Sequence, residues 1–130
     1  FESYVAVVAE VSEVDQQPYV HKLTCVIDAG LALRPNQIEA QVEGSLFWGY
    51  SHAMRNQITI KDGAVQEDNF DTYRMLRFSE TPELEVHILS TDNRPSGVGE
   101  TGVAVVAPAI ANAWARLSGQ RLRTMPFISS

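Results

Sequence analysis

The chain has 130 residues, 45% of them hydrophobic and 20% charged, with a formal net charge of −6. That is the length of one domain, and its plentiful Leu, Ile, Val and Phe exclude wholesale disorder. The single cysteine, Cys25, excludes an intrachain disulfide and any cysteine-held zinc or iron–sulfur site, and no apolar run reaches the roughly 20 residues needed to span a bilayer.

Charge is unevenly spread. Residues 1–100 carry all 16 acids, whereas residues 101–130 carry Arg116, Arg121, Arg123 and no acid. The acidic bulk argues against general nucleic-acid binding, which needs a basic face. The three arginines read as solvated charges around a helix end. The first residue is Phe1, not methionine, which predicts a chain cut from a longer one.

Val5, Val7, Ala9 and Val11 alternate with Tyr4, Ala6, Val8 and Glu10, so residues 4–14 read as a strand. Asp15-Gln16-Gln17-Pro18 reads as a turn. Residues 19–28 then form a second strand with Leu23, Cys25 and Ile27 on one face, and the pair suggests an antiparallel hairpin. Cys25 reads as a small core residue, and Asp28 as a turn residue at the strand end. Next comes a helix over about 36–55, with Asn36 as N-cap and Glu39 completing a capping box. Its apolar stripe is Ile38, Val42, Leu46, Gly49 and Ala53. Gly44, Ser45 and Gly49 give it a small surface, for close helix packing or for the approach of a cofactor. Short strands at 57–61 and 64–66 flank Asp62-Gly63, a hairpin turn. Residues 67–82 read as irregular, 84–89 as a strand, and 91–102 as a polar, glycine-rich loop.

The last strong element is a helix over about 104–117. Val103, Val106, Ala107, Ile110, Ala113, Trp114 and Leu117 recur at helical spacing. Gly119 is its stop. Pro108 predicts that the helix either begins near 104–107 or kinks. Residues 121–127 read as a final short strand. The whole is an α+β fold, an antiparallel or mixed sheet packed against two main helices.

Gly97-Val98-Gly99-Glu100-Thr101-Gly102 is a literal GxGxxG between a strand and a helix, the setting of a dinucleotide fingerprint. Against that reading, about nine residues separate Leu89 from the motif, where a dinucleotide turn is tight. No acid follows Glu100 to hold a ribose, and Glu100 itself would repel a pyrophosphate. What remains is a carboxylate on a backbone-dominated loop before a helix N-terminus. It is either a general base or a helix-stabilising first-turn acid. His21, His52 and His87 lie on separate elements without metal-ligand spacing.

Pro95-Ser96-Gly97-Val98-Gly99-Glu100, residues 103–113 and the closing Gly119-Gln120-Arg121-Leu122-Arg123-Thr124-Met125-Pro126-Phe127 resemble the C-terminal end of molybdenum hydroxylase large subunits. That is the xanthine dehydrogenase and aldehyde oxidoreductase family, and the likeness is strongest to the isoquinoline 1-oxidoreductase beta-subunit group. Cys25-Val26-Ile27-Asp28-Ala29-Gly30, Gln41-Val42-Glu43-Gly44, and Tyr73-Arg74-Met75-Leu76-Arg77 agree in order and spacing. The resemblance implies molybdopterin, as the mononucleotide or the cytosine dinucleotide, held by its pterin and not by protein metal ligands. It also implies [2Fe-2S] clusters on a separate small subunit, and a substrate that is an N-heterocycle or an aldehyde, hydroxylated with oxygen from water. Glu100 would be the active-site base and Gln41 a pterin contact. Gly44, Ser96, Gly97 and Gly99 would bring backbone close to the cofactor. Family subunits are several times longer, so the chain is expected to be a C-terminal portion, one wall of a site and inactive alone. The alternatives are a non-catalytic assembly domain that kept the fold, or a nicotinamide binder through residues 97–102.

Overall fold

The computed structural model describes residues 2–128. Alternating β-branched residues build its first two elements, β1 (Tyr4–Val14) and β2 (Gln17–Asp28), which pair antiparallel. Their turn has only two residues. Asp15 and Gln16 take φ of 50° and 62°, the left-handed pair that suits the twist of a tight hairpin. The expected turn over 15–18 was therefore too long, and Gln17 and Pro18 belong to β2. Pro18 is tolerated there because the second neighbour of β2 begins pairing only at Lys22, so no bond is lost on that side. The register shifts between Glu10 and Val11, whose partners are Lys22 and Val20. This bulge resets the alternation and turns Val20 into the core with Leu23, Cys25 and Ile27.

The third strand, β5 (Glu83–Leu89), pairs parallel to β2, giving a mixed sheet in the order β1-β2-β5. The intervening elements are α1 (Pro35–Met54) and a two-stranded hairpin of β3 (Ile60–Lys61) and β4 (Ala64–Val65). Register places Val5, Ile27 and Ile88 in one row across the sheet, and Val7, Cys25 and Val86 in the next. Both rows face the helices. The last helix, α2 (Val103–Ser118), packs on β1, and α1 packs on α2 and β5. The expected α+β architecture is what forms, with both helices against one sheet face. No described helix is long and apolar enough to cross a membrane.

Several boundaries differ from the sequence expectation. Pro35 occupies the first turn of α1, and Arg34 is its N-cap with no side-chain cap bond. Proline at that position has φ already set and lacks only an N–H that would go unpaired anyway. Asn36 therefore caps nothing. Val42, Leu46, Gly49 and Ala53 are buried, as their spacing predicts. The Asp62-Gly63 hairpin forms, but with strands of two residues each. Residues 67–82 are irregular except for a 3-10 turn, Phe78–Glu80. They are tied to α1 by the Arg55–Glu80 ion pair and by Leu76 N donating to Ser51 Oγ at 3.0 Å. Helix α2 starts at Val103 and runs through Pro108, whose ring is exposed, to Gly119 at φ 76°. No strand forms at 121–127; Phe127 N instead donates to Ala53 O at 2.7 Å, tying the segment to the end of α1.

Burial pushes the Cys25 thiol from 9.0 up to about 11 and the Tyr50 phenol from 10.0 up to about 12. Both groups fold in their neutral forms. Their contribution is whole below the unfolded values and is lost as pH rises through the raised ones. Thermal denaturation should therefore show a midpoint that falls between about pH 9 and 12. Cys25 should resist a thiol reagent until the chain unfolds, because it is buried and its thiolate is disfavoured.

Candidate active site

The parallel pairing of β2 and β5 fixes where the site forms. Both strands end on the same side of the sheet, with Asp28 opposite Leu89. The loops that follow, 29–34 and 90–102, therefore start side by side. Asp28 joins them: its Oδ1 accepts from Gly30 N at 2.9 Å and from Thr91 Oγ1 at 3.1 Å. It is the turn residue its position suggested. Leu31 N donates to Asn93 O at 3.0 Å, and Ser96 N to Ala29 O at 2.9 Å. Gly30 makes this closeness possible. It sits at φ +80°, and a Cβ there would overlap the Arg94 carbonyl oxygen and come within 2.8 Å of Asn93 O. Ser3, just before β1, supports the same loop, with its Oγ 2.8 Å from Ser96 Oγ and donating to Gly97 O.

Two cavities open at these loop ends. The first, of about 800 Å³, is bordered by Arg34, Gln37 and Gln41 of the α1 entry and by Pro95, Ser96 and Val98 of the second loop. The second, of about 550 Å³, lies between Trp48 and His52 on α1 and Gly99, Glu100 and Val103 at the start of α2. Gln41 and Ser96 thus share one cavity, and Gly99 and Glu100 share the other. Gly97 lies on the loop between them, its carbonyl also accepting from Thr101 Oγ1 at 3.3 Å.

Helix α1 links the two cavities. Gln41, Gly44, Trp48 and His52 are three, four and four residues apart, so they form one stripe along the helix. The small residues beside that stripe divide by task. Gly49 and Ser45 face α2: a Cβ on Gly49 would come 2.7 Å from Val103 O, and one on Gly102 would overlap Ser45 Oγ. These residues serve close helix packing. Gly44 is different, because a Cβ there would meet nothing within 4 Å, and the same holds for Gly99. No protein packing explains either glycine, and both leave open backbone for a group lying against it.

Trp48 and His52 were not singled out as site residues from the sequence, nor were Arg34 and Gln37. The available signal was Trp48 seven residues after Gln41, on the same helix face. Glu100 is exposed, one turn before the helix proper; Val103 N donates to its backbone carbonyl at 3.0 Å. Among the described residues its carboxylate caps no helix and enters no ion pair. No group of three or more His, Cys, Asp or Glu able to hold a metal ion occurs among the described residues.

A family model described as the molybdopterin cofactor-binding domain matches residues 2–82. The chain is 36% identical over 126 residues to the beta subunit of isoquinoline 1-oxidoreductase from Brevundimonas diminuta, covering 95% of this chain and 16% of that protein. It is 41% identical over 105 residues to a membrane-bound aldehyde dehydrogenase (pyrroloquinoline-quinone) from Gluconacetobacter polyoxogenes, covering 81% of this chain and 14% of that one. Quinoline 2-oxidoreductase from Pseudomonas putida 86 has the same fold, with a TM-score of 0.79 at 21% identity over 91% of this chain and 16% of that one. The chain thus spans about one-sixth of the length of these relatives. With mixed sheet, paired loops and helix packing alike in place, the chain belongs to the molybdopterin cofactor-binding domain family of the molybdenum hydroxylases.

Proposed function

We propose that this chain is the C-terminal portion of the cofactor-binding region of a large subunit. The enzyme it serves hydroxylates N-heterocycles or aldehydes with water as the oxygen source. The supporting observation is the α1 stripe, which joins a cavity of mixed polar and apolar lining at Gln41 to a mainly apolar cavity at Glu100 across the bare backbone of Gly44. The donor set of the first cavity fits a phosphorylated pterin. The Gln41 and Gln37 amides and the Ser96 hydroxyl suit ring nitrogens and oxygens, and the Arg34 guanidinium suits a phosphate. Gly44 and Gly99 leave their backbone free for close approach, and Gly97 and Ser96 hold the loop between the two cavities. Bound molybdopterin, as mononucleotide or cytosine dinucleotide, supplies the two-electron redox chemistry. The chain's own share is proton transfer and positioning. Glu100 takes a proton as general base, with Val103 and Ala104 as apolar neighbours in the same cavity.

On this reading the chain forms one wall of a site and is inactive alone. Its partners are the rest of the large subunit and a small subunit that carries [2Fe-2S] clusters. Metal and pterin analysis tests the reading. The complete enzyme should contain about one molybdenum per large subunit, and Gln41→Ala should lower that content roughly tenfold, as loss of a supporting contact does at other cofactor sites. A complete enzyme that purifies with pyrroloquinoline quinone and no molybdenum would refute it. So would turnover by the isolated chain.

A further inference from the structure

Glu100 sits on a loop, residues 97–101, that no helix or strand holds. Thr101 Oγ1 donates back to Gly97 O at 3.3 Å, closing the loop on itself at that carbonyl. A Cβ on Gly99, inside the loop, would meet nothing within 4 Å. Val98 packs on the core, but apolar packing is non-directional. The aim of Glu100 therefore depends on what holds the Gly97 carbonyl. Strand β1 runs antiparallel to β2 and so begins where β2 ends: Tyr4 pairs with Asp28, and Asp28 with Leu89. Ser3 thus lies beside the ends of both strands whose loops form the site. Its Oγ donates to Gly97 O and is 2.8 Å from Ser96 Oγ. A hydroxyl carries one proton. Ser3 gives its own to Gly97 O, so Ser96 is the donor across the second contact. The result is a directional relay from the Ser96 hydroxyl through the Ser3 hydroxyl to the Gly97 carbonyl, in which each bond polarises the next. Ser96 N donates to Ala29 O at 2.9 Å, so the start of the relay is itself fixed to the first loop. Among the described residues, no side chain outside the loop other than Ser3 hydrogen-bonds to residues 97–101.

We propose that Ser3 is a positioning residue for the general base: it holds the Gly97 carbonyl against the start of β1 and thereby sets where the Glu100 carboxylate stands. Removing its hydroxyl leaves Gly97 O with the longer Thr101 bond alone and leaves the Ser96 hydroxyl without its acceptor. The loop then samples orientations in which Glu100 is out of reach. Hydrogen-bond reach is the first requirement of a general base, and small misplacements cost rate steeply. The inference rests on the reading of Glu100 as base and adds the group that aims it.

The test uses the complete enzyme at saturating isoquinoline or acetaldehyde, whichever it oxidises faster. Ser3→Ala should lower kcat about tenfold, the size expected for loss of one hydrogen bond that matters to the rate. KM and molybdenum content should stay as they are. Ser3→Thr keeps the hydroxyl and should recover most of the rate. The pairing with Glu100→Gln separates aiming from general support. With no base left to aim, Ser3→Ala should change the residual rate of the Glu100→Gln enzyme by less than about twofold. Equal losses in both backgrounds, an unchanged kcat, a loss that follows molybdenum content, or no recovery with threonine would each overturn the assignment of Ser3. Failure of the underlying reading looks different: the Glu100→Gln enzyme would then keep its turnover, whatever stands at position 3.

Discussion

Glu100→Gln in the complete enzyme should lower kcat by roughly two to four orders of magnitude, the scale at which general bases contribute, while molybdenum content stays unchanged. Glutamine keeps the shape and length of glutamate and accepts no proton at neutral pH, so the substitution removes the base and little else. The competing role is a first-turn acid that stabilises α2. That role would cost about 1 kcal/mol or less in stability and nothing in rate. The structure weakens it in two ways. Glu100 precedes Gly102, the N-cap of α2, and among the described residues no side chain caps that helix. Glu100 instead lines a cavity with Trp48 and His52. Steady-state kinetics and metal analysis on the same preparation separate the outcomes. Retained turnover with unaltered cofactor content would remove Glu100 from the mechanism.

The strand faces were legible in the sequence because alternation reports which side chains share a face. Leu84, Val86 and Ile88 point to the core as expected. Alternation does not report the partner strand, so the parallel pairing of β5 with β2 was not visible. That pairing is what sets the two loops side by side. Local signals also competed. Asn36 and Glu39 match a capping box, yet Pro35 one residue earlier starts the helix because its φ is already helical. Residues 121–127 read as a short final strand, but the segment ties to the end of α1 through Phe127 N. The candidate site divides in the same way. Gln41 and Glu100 stand out by their motifs, whereas Trp48 acquires meaning only when α2 brings the Glu100 loop beside it. The small face of α1 carried two readings, packing or cofactor approach, and the structure distributes them over different glycines.

That distribution predicts opposite signs for two identical substitutions. In Gly49→Ala the new methyl comes 2.7 Å from Val103 O, 3.0 Å from Val106 Cγ2 and 3.1 Å from Val103 Cα. Two of these neighbours are backbone and cannot rotate away, so α2 must shift. Overpacking of this kind costs about 1–3 kcal/mol, against about 1 kcal/mol gained from replacing a helical glycine. Urea unfolding of the chain should show a net loss of up to about 2 kcal/mol. In Gly44→Ala the methyl meets nothing within 4 Å, so only the helix gain of about 1 kcal/mol remains and the chain becomes more stable. Cofactor content in the complete enzyme then separates packing from approach. If the pterin lies against Gly44, the more stable variant is the one that purifies with less molybdenum. A Gly44→Ala enzyme that is both stabilised and fully loaded would show that the open backbone there faces no cofactor.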